Sequence, residues 1–175
     1  MSRSRINWYE QLRERYRPER LEVLLVGESP PDPGAGQRRF FYSPQLTADN
    51  LYRGVAVAVY GTDPTVDVLD KPAVLARLRL DGFWLIDAVG YPVNKLPTSA
   101  RECALREAAP DLVHRCKALA PRRGVIICHG KVHAAAAQLL REDGITVLNQ
   151  EPLPFPLGNW RARFVSGFRR ALSSE

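Results

Sequence analysis

The chain has 175 residues, of which 45% are hydrophobic and 25% charged, and this length and composition suit one globular domain over residues 1–175. Its 14 Pro and 12 Gly occur without an internal repeat, which excludes fibrous and low-complexity proteins and indicates shaped loops. Lys and Arg outnumber Asp and Glu by 25 to 19, which gives a net charge of +6. A basic balance favours a polyanionic partner such as nucleic acid without requiring one.

The three cysteines, Cys103, Cys116 and Cys128, form no C-x-x-C pair, so we expect neither a disulfide framework nor a zinc ribbon. No apolar run approaches the roughly 18 residues of a membrane span, and the first twenty residues lack the apolar core of a signal peptide. These features predict a cytoplasmic protein, without a membrane partner, that we expect to be monomeric.

Helical and strand patterns alternate along the chain. Apolar residues at three- and four-residue spacing predict an N-terminal helix at about 5–17, which ends before Pro18. Short branched runs predict four buried strands, at 21–27, 83–87, 125–128 and 145–148. Further helices are predicted at 46–60, from Asp70 onward, at 98–119 with a bend or break at Pro110, at 131–140 and at 159–172.

This alternation predicts an α/β fold, a three-layer α/β/α sandwich around a four-stranded, mostly parallel sheet with right-handed crossovers. Ligands of such sheets bind outside the carboxyl ends of the strands. Here those ends carry Glu28, Asp87, His129 and the loop 151–156, which we expect to converge on one crevice.

The first strand-end loop combines a carboxylate, prolines and rings. Gly27-Glu28-Ser29-Pro30-Pro31 precedes the aromatic triple Phe40-Phe41-Tyr42, a combination that suits holding a planar ring beside an acid or base. The loop is not a P-loop, and Gly34-Ala35-Gly36 does not match the dinucleotide fingerprint. A plain Pro-rich turn with core aromatics is the alternative.

Five segments in this order, over roughly residues 21–170, resemble the uracil-DNA glycosylase superfamily. Gly27-Glu28-Ser29-Pro30-Pro31 is similar to the G-E-A-P-G form of the first family motif. The resemblance implies that Tyr42 or Phe41 stacks on a flipped base, and that Asp87 occupies the place of an Asn that reads the base. The other matching segments are Cys128–Ala134, Leu153–Leu157 and Trp160–Phe164.

The resemblance implies a protein that flips a nucleobase out of DNA into the strand-end pocket and hydrolyses its N-glycosidic bond. Such chemistry needs a carboxylate and a positioned water. Glu28 is the candidate general base or stabiliser of the oxocarbenium-like sugar, and Ser29 the candidate for positioning the water. We expect no cofactor and no metal, because the family branch that holds an iron–sulfur cluster uses four cysteines.

Two departures from the family pattern bear on the activity. The family His that donates a hydrogen bond to the departing base is Leu153 here, and the loss of such a donor typically lowers the rate by about 10²–10³. Asp87 replaces Asn, and an ionised carboxylate only accepts hydrogen bonds. Ionised Asp87 therefore favours a base edge with adjacent N–H donors, such as that of guanine-like bases, whereas protonated Asp87 can mimic Asn. Alternatively, Asp87 caps the following segment or pairs with Lys95.

Basic residues beside the strand-end loops are candidates for contacts with phosphates, and Phe155 is the candidate wedge or minor-groove residue. The basic candidates are Arg38, Arg39, Lys95, Lys131, Arg161 and Arg163.

Three other functions fit parts of the sequence. A protein of the same fold with a nucleobase pocket but weak or no turnover agrees with Leu153. Ser29, Asp87 and His129 or His133 follow the chain order of α/β-hydrolase triads, although G-x-S-x-G is absent. Cys128 with the two histidines is a possible set of metal ligands without an indicated fourth.

Overall fold

The computed structural model describes residues 8–32, 40–46 and 49–174. Its centre is a parallel sheet of three strands in the order β2-β1-β3. The strands are β1 (Val23–Gly27), β2 (Phe83–Asp87) and β3 (Gly124–Ile127). Every residue of each strand is buried, and successive side chains of a strand point to opposite faces of the sheet. Both faces are therefore covered, as is typical of a layered α/β protein.

Six α-helices surround the sheet in the described part of the chain. They are α1 (Trp8–Arg15), α2 (Asn50–Tyr60), α3 (Lys71–Leu80), α4 (Thr98–Leu119), α5 (Gly130–Glu142) and α6 (Arg161–Ser173), with a short 3₁₀ turn at Gly158–Trp160 before α6. Helix α4 packs on α5, and α2 packs on α6. None of these helices combines the length and the apolar character needed to cross a membrane.

The predicted helices are found, with three differences. Residues 5–7 of the predicted N-terminal helix lie outside the described residues, and α1 ends at Arg15. Helix α2 begins at Asn50, four residues later than predicted. Helix α4 is unbroken at Pro110; it packs along α5, a tertiary contact of the kind that can offset the backbone hydrogen bond lost at a proline.

The prediction of a fourth strand is wrong. Within the segment 145–148, only Val147 forms a β-bridge, and its partner is Val125. Val125 N donates to Thr146 O at 2.8 Å, and Leu148 N donates to Val125 O at 2.8 Å. The segment therefore lies beside β3, but its backbone pairs with β3 at one residue only.

The side chain of Asn149 explains why the pairing stops. Ile127 N donates to Asn149 Oδ1 at 2.9 Å, and Asn149 Nδ2 donates to Ile127 O at 3.1 Å. One amide side chain thus satisfies both backbone groups that a fourth strand would have paired. Asn149 is itself buried, and its Nδ2 also donates to Glu151 O at 3.0 Å, at the start of the next loop.

Candidate functional site

A cavity of about 490 Å³ opens at the carboxyl end of the sheet, a volume within the usual range of small-molecule sites. The ends of all three strands contribute to it, with Glu28 after β1, Asp87 at the end of β2 and His129 after β3. The loop residue Phe155 completes the convergence that the sequence predicted. The cavity is also lined by Phe40, Phe41, Asn50, Asn94, Arg101 and Leu157.

Glu28 is held by Arg101, which lies near the start of α4. Arg101 Nε donates to Glu28 Oε2 at 2.7 Å, and Arg101 Nη2 donates to Glu28 Oε1 at 2.6 Å. The Glu28 side chain is only 8% exposed, whereas that of Arg101 is 25% exposed. A two-pronged pair of this kind fixes the plane of the carboxylate, so Glu28 presents a fixed negative charge to the cavity.

His129 lies beside this pair and caps the N-terminus of α5. Lys131 N donates to His129 Nδ1 at 3.3 Å, so the proton of a neutral ring is on Nε2. That Nε2 is 3.5 Å from Glu28 Oε2 and 3.5 Å from Arg101 Nη2. Burial lowers the pKa of His129; Glu28 opposes this effect, and Arg101 and Lys131 add to it.

Asp87 forms a buried ion pair with Arg13 of α1, at 2.5 Å between Asp87 Oδ2 and Arg13 Nη2. Its other oxygen, Oδ1, would be 2.9 Å from a Cβ at residue 27, so Gly27 permits its close approach to the end of β1. Burial raises the pKa of Asp87 to about 6, although Arg13 acts to lower it. The alternative pairing with Lys95 does not occur, because Lys95 pairs with Asp32 at 2.9 Å.

The aromatic candidates separate. Phe41 lines the cavity, together with Phe40, while Phe155 forms another part of the wall and lies 6.0 Å from His129 between ring centroids. Tyr42 does not line the cavity: it is 3% exposed, its ring stacks on Tyr16, and its hydroxyl accepts a hydrogen bond from Leu85 N at 2.6 Å. Of the two stacking candidates, the structure places only Phe41 at the site.

Ser29 lines the cavity, and its hydroxyl accepts a hydrogen bond from Val93 N at 3.3 Å. None of the hydrogen bonds found among the described residues joins Ser29 to His129 or His133. Leu153 is not at the site: it is 3% exposed, and its Cδ2 would be 2.6 Å from a Cβ at Gly167 of α6. Leu153 therefore packs into the core and contributes nothing to the cavity wall.

The basic candidates lie in different surroundings. Lys131 pairs with Glu102 at 2.9 Å, and Lys95 has its own carboxylate partner. Arg161 Nη2 is 3.5 Å from Asn50 Oδ1, at the cavity wall, and Arg163 lies over the ring of Trp160 at 5.2 Å. Arg38 and Arg39 lie outside the described residues.

Two arginines at this site were not among the sequence candidates. Arg13 and Arg101 are far in sequence from the carboxylates that they bind. The position of Arg101 in the first turns of α4 was the available signal, because α4 begins soon after the loop that follows β2. No comparable signal exists for Arg13, because it lies on α1 and binds Asp87, at the end of β2, only in the folded chain.

Metal ligation finds no support in the described ranges, where no three His, Cys, Asp or Glu side chains are grouped to hold an ion. The three cysteines are free thiols. Burial raises the pKa of Cys128, in the cavity wall, to about 12, so its thiolate is not available near neutral pH.

Comparisons of the chain with models of protein families, with curated proteins and with solved structures give no significant match.

Proposed function

We propose that this protein is a base-flipping N-glycosyl hydrolase that acts on DNA, as the resemblance of its motifs to the uracil-DNA glycosylase superfamily implies. The observation that carries the proposal is the convergence of Glu28, Asp87 and His129 in one cavity walled by aromatic rings. A buried carboxylate, a polar group to read a base edge and rings to stack on the base are the parts that excision of a flipped base needs. The resemblance of the strand-end motifs to that superfamily supports the same assignment.

Glu28 acts in this proposal as a fixed charge. Both of its oxygens accept hydrogen bonds from Arg101, which leaves the carboxylate well placed to stabilise positive charge on the sugar and to orient a water molecule. Proton abstraction is the lesser part of its role, because Arg101 competes for the same lone pairs. Ser29, on the same loop, is the second group that can orient the water.

Asp87 reads the base in this proposal. Arg13 binds Oδ2 and leaves Oδ1, which lies beside Gly27 of the cavity lining, as the remaining acceptor. At pH 7 and above the carboxylate is mostly ionised, since its pKa is about 6. An acceptor without a donor selects a base edge that presents N–H groups, so guanine-like bases are preferred over uracil.

The test is base release from synthetic oligonucleotides, single- and double-stranded, that contain uracil, hypoxanthine, xanthine or 8-oxoguanine. Each released base leaves an abasic site in the strand, and alkali converts that site into a strand break. We expect breaks with at least one of these substrates and a loss of at least about 10²-fold in the single-turnover rate for Glu28→Gln. Glu102→Gln is the matched control, because Glu102 is a carboxylate outside the cavity that pairs with Lys131.

A nucleobase-binding protein without turnover is the second candidate. Arg101 donates hydrogen bonds to both oxygens of Glu28. This favours binding without turnover, because a carboxylate whose lone pairs are already hydrogen-bonded is a weaker base. Retention of the oligonucleotides without strand breaks identifies this function. A wild-type protein that neither retains nor cleaves any of them contradicts both candidates.

The choice of base tests the role of Asp87 separately. Asp87→Asn restores a side chain that both donates and accepts, so we expect the ratio of uracil to 8-oxoguanine release, or of binding, to rise by about tenfold or more. An unchanged ratio removes Asp87 from base recognition and leaves the assignment of Glu28 intact.

A further inference from the structure

We infer that His129 supplies the hydrogen-bond donor to the departing base, an assignment that rests on the proposed function. Leu153, which stands where the family has its donor, packs against α6 and cannot serve. Negative charge that develops on a departing base is stabilised by a hydrogen-bond donor in a dehydrated site, and we therefore consider the donors of the cavity wall.

The hydrogen bonds of His129 leave one N–H available. Nδ1 already accepts the backbone N–H of Lys131, so the ring carries its proton on Nε2. Nε2 lies 3.5 Å from both Glu28 Oε2 and Arg101 Nη2; both distances are long for a hydrogen bond, and Arg101 offers no acceptor. A substrate oxygen at ordinary distance would bind this N–H better than Glu28 does.

Other side-chain donors also line the cavity. Arg101 directs its Nε and Nη2 to Glu28, at 2.7 and 2.6 Å. Asn50 and Asn94 also line the cavity, but the His129 ring is oriented by its cap of α5 and lies next to Glu28. His129 is 15% exposed and lies near Phe155, so its N–H acts in a largely dehydrated place, where a hydrogen bond to developing charge is strengthened.

The position of His129 in the cavity also places it near the glycosidic bond that would break. Asp87 and His129 follow strands on opposite sides of β1, so a base in the cavity can contact Asp87 with one edge and His129 with another. His129 Nε2 is 3.5 Å from Oε2 of Glu28, the group assigned to the sugar. It therefore lies on the side of the glycosidic bond.

The reaction is hydrolysis of the N-glycosidic bond. The bond between C1′ and the base nitrogen breaks, and both of its electrons leave with the base. His129 Nε2–H donates a hydrogen bond to a carbonyl oxygen of the base as this negative charge develops, and the imidazole stays neutral. Water adds to C1′, and the proton that it loses passes by way of Glu28 or solvent to the base. Glu28, Arg101 and Lys131 are the charged groups around His129, and burial lowers its pKa, which keeps the ring neutral near pH 7.

Two substitutions separate this role from helix capping. His129→Asn keeps an acceptor for the Lys131 N–H, because Asn is among the preferred N-cap residues, but its amide is too short to replace Nε2–H. We expect His129→Asn to lower the single-turnover rate by about 10²–10³, with little change in thermal unfolding. His129→Gln places an amide N–H near the position of Nε2 and should recover about tenfold of the loss. His133→Gln is the control on the same helix, since His133 Nε2 contacts Asn149 O at 3.2 Å, outside the cavity.

The decisive readout is the dependence on the leaving group. Oligonucleotides with uracil and 5-fluorouracil, and with hypoxanthine and xanthine, compare bases that differ in how well they bear negative charge. If His129 stabilises the departing base, His129→Asn lowers the rate more for the poorer leaving group of each pair. An equal loss for both members of a pair, or no loss, overturns the assignment while the proposed function stands. A wild-type protein that releases none of these bases overturns both.

Discussion

At the scale of single residues, Asp87 is subject to two opposed effects. Burial in the core raises its pKa to about 6, from an ordinary 3.8, and the guanidinium of Arg13 only partly opposes this shift. The folded protein therefore takes up a proton at higher pH than the unfolded chain does. By linkage, the contribution of Asp87 to stability is largest below about pH 4 and is lost as the pH rises through about 6.

The stability of Asp87→Asn should consequently depend on pH in a different way from that of the wild type. The free energy of unfolding of the wild type, minus that of the variant, should fall by on the order of 2–3 kcal/mol between pH 4 and pH 7. His129 and His133 have lowered pKa values and act in the opposite sense, but both proteins contain them. Urea unfolding at several pH values measures the difference, and parallel pH curves for the two proteins would contradict the prediction.

At the scale of elements, the first residue of α3 fastens the loop that precedes α2. Lys71 Nζ donates to Phe40 O at 3.1 Å and to Gln45 O at 3.4 Å, and it forms an ion pair with Asp49. Lys71 and Asp49 are both almost completely buried. Because Phe40 and its neighbour Phe41 line the cavity, this buried pair holds part of the candidate site in place.

Removing one member of the pair should destabilise the fold strongly. Lys71→Met leaves the buried carboxylate of Asp49 without its cation, and we expect a loss of about 3–5 kcal/mol in the free energy of unfolding. Adding Asp49→Leu removes the unpaired charge and should restore part of the stability. Chemical denaturation of both variants checks this, and a double variant less stable than Lys71→Met would show that the pair has another role.

The elements also show what sequence can and cannot predict. Branched apolar runs identify β1, β2 and β3, and Asp70 before Lys71-Pro72 marks the start of α3, because those signals are local; Asp70 indeed accepts a hydrogen bond from Ala73 N. The run at 145–148 has the same local signal, but the Asn149 side chain pairs with β3 in place of a strand. The Arg101–Glu28 pair joins residues 73 apart, and only the folded chain brings them together.

The aromatic triple shows the same limit within a few residues. Phe41 and Tyr42 are adjacent and equally suited to stack on a base, so their sequence does not separate them. The turn that carries them directs Phe41 to the cavity and Tyr42 to the core, where its hydroxyl accepts a hydrogen bond from Leu85 N. That outcome depends on the partner strand, which the local pattern does not contain.

At the scale of the whole molecule, the net charge is +6, and the candidate basic residues are of two kinds: some pair with a carboxylate and others contact neutral groups. Lys95 and Lys131 have carboxylate partners, so a phosphate must compete with those partners. Arg161 and Arg163 instead contact neutral groups, an amide and an indole ring. If the protein binds DNA as proposed, these two arginines are better placed than the lysines to release counterions.

We therefore expect binding of an oligonucleotide to weaken with salt, and Arg163→Gln to make the slope of log K against log salt concentration shallower by about one. Lys95→Gln is the matched control and should change the slope less, because Lys95 exchanges one negative partner for another. Fluorescence anisotropy over a range of salt concentrations gives both slopes. A greater change for Lys95→Gln would reverse this assignment of the phosphate contacts.

Asn149 has a consequence for how copies of the protein meet. An exposed strand edge is a template for pairing with another chain, and the outer edge of β3 is closed at Ile127 by a single amide that satisfies both backbone groups. Asn149→Ala would leave the N–H and C=O of Ile127 open to a strand from a neighbouring molecule. We expect that variant to associate increasingly with concentration in analytical ultracentrifugation, and we expect no such association of the wild type. This result would show that one side chain prevents aggregation through this sheet.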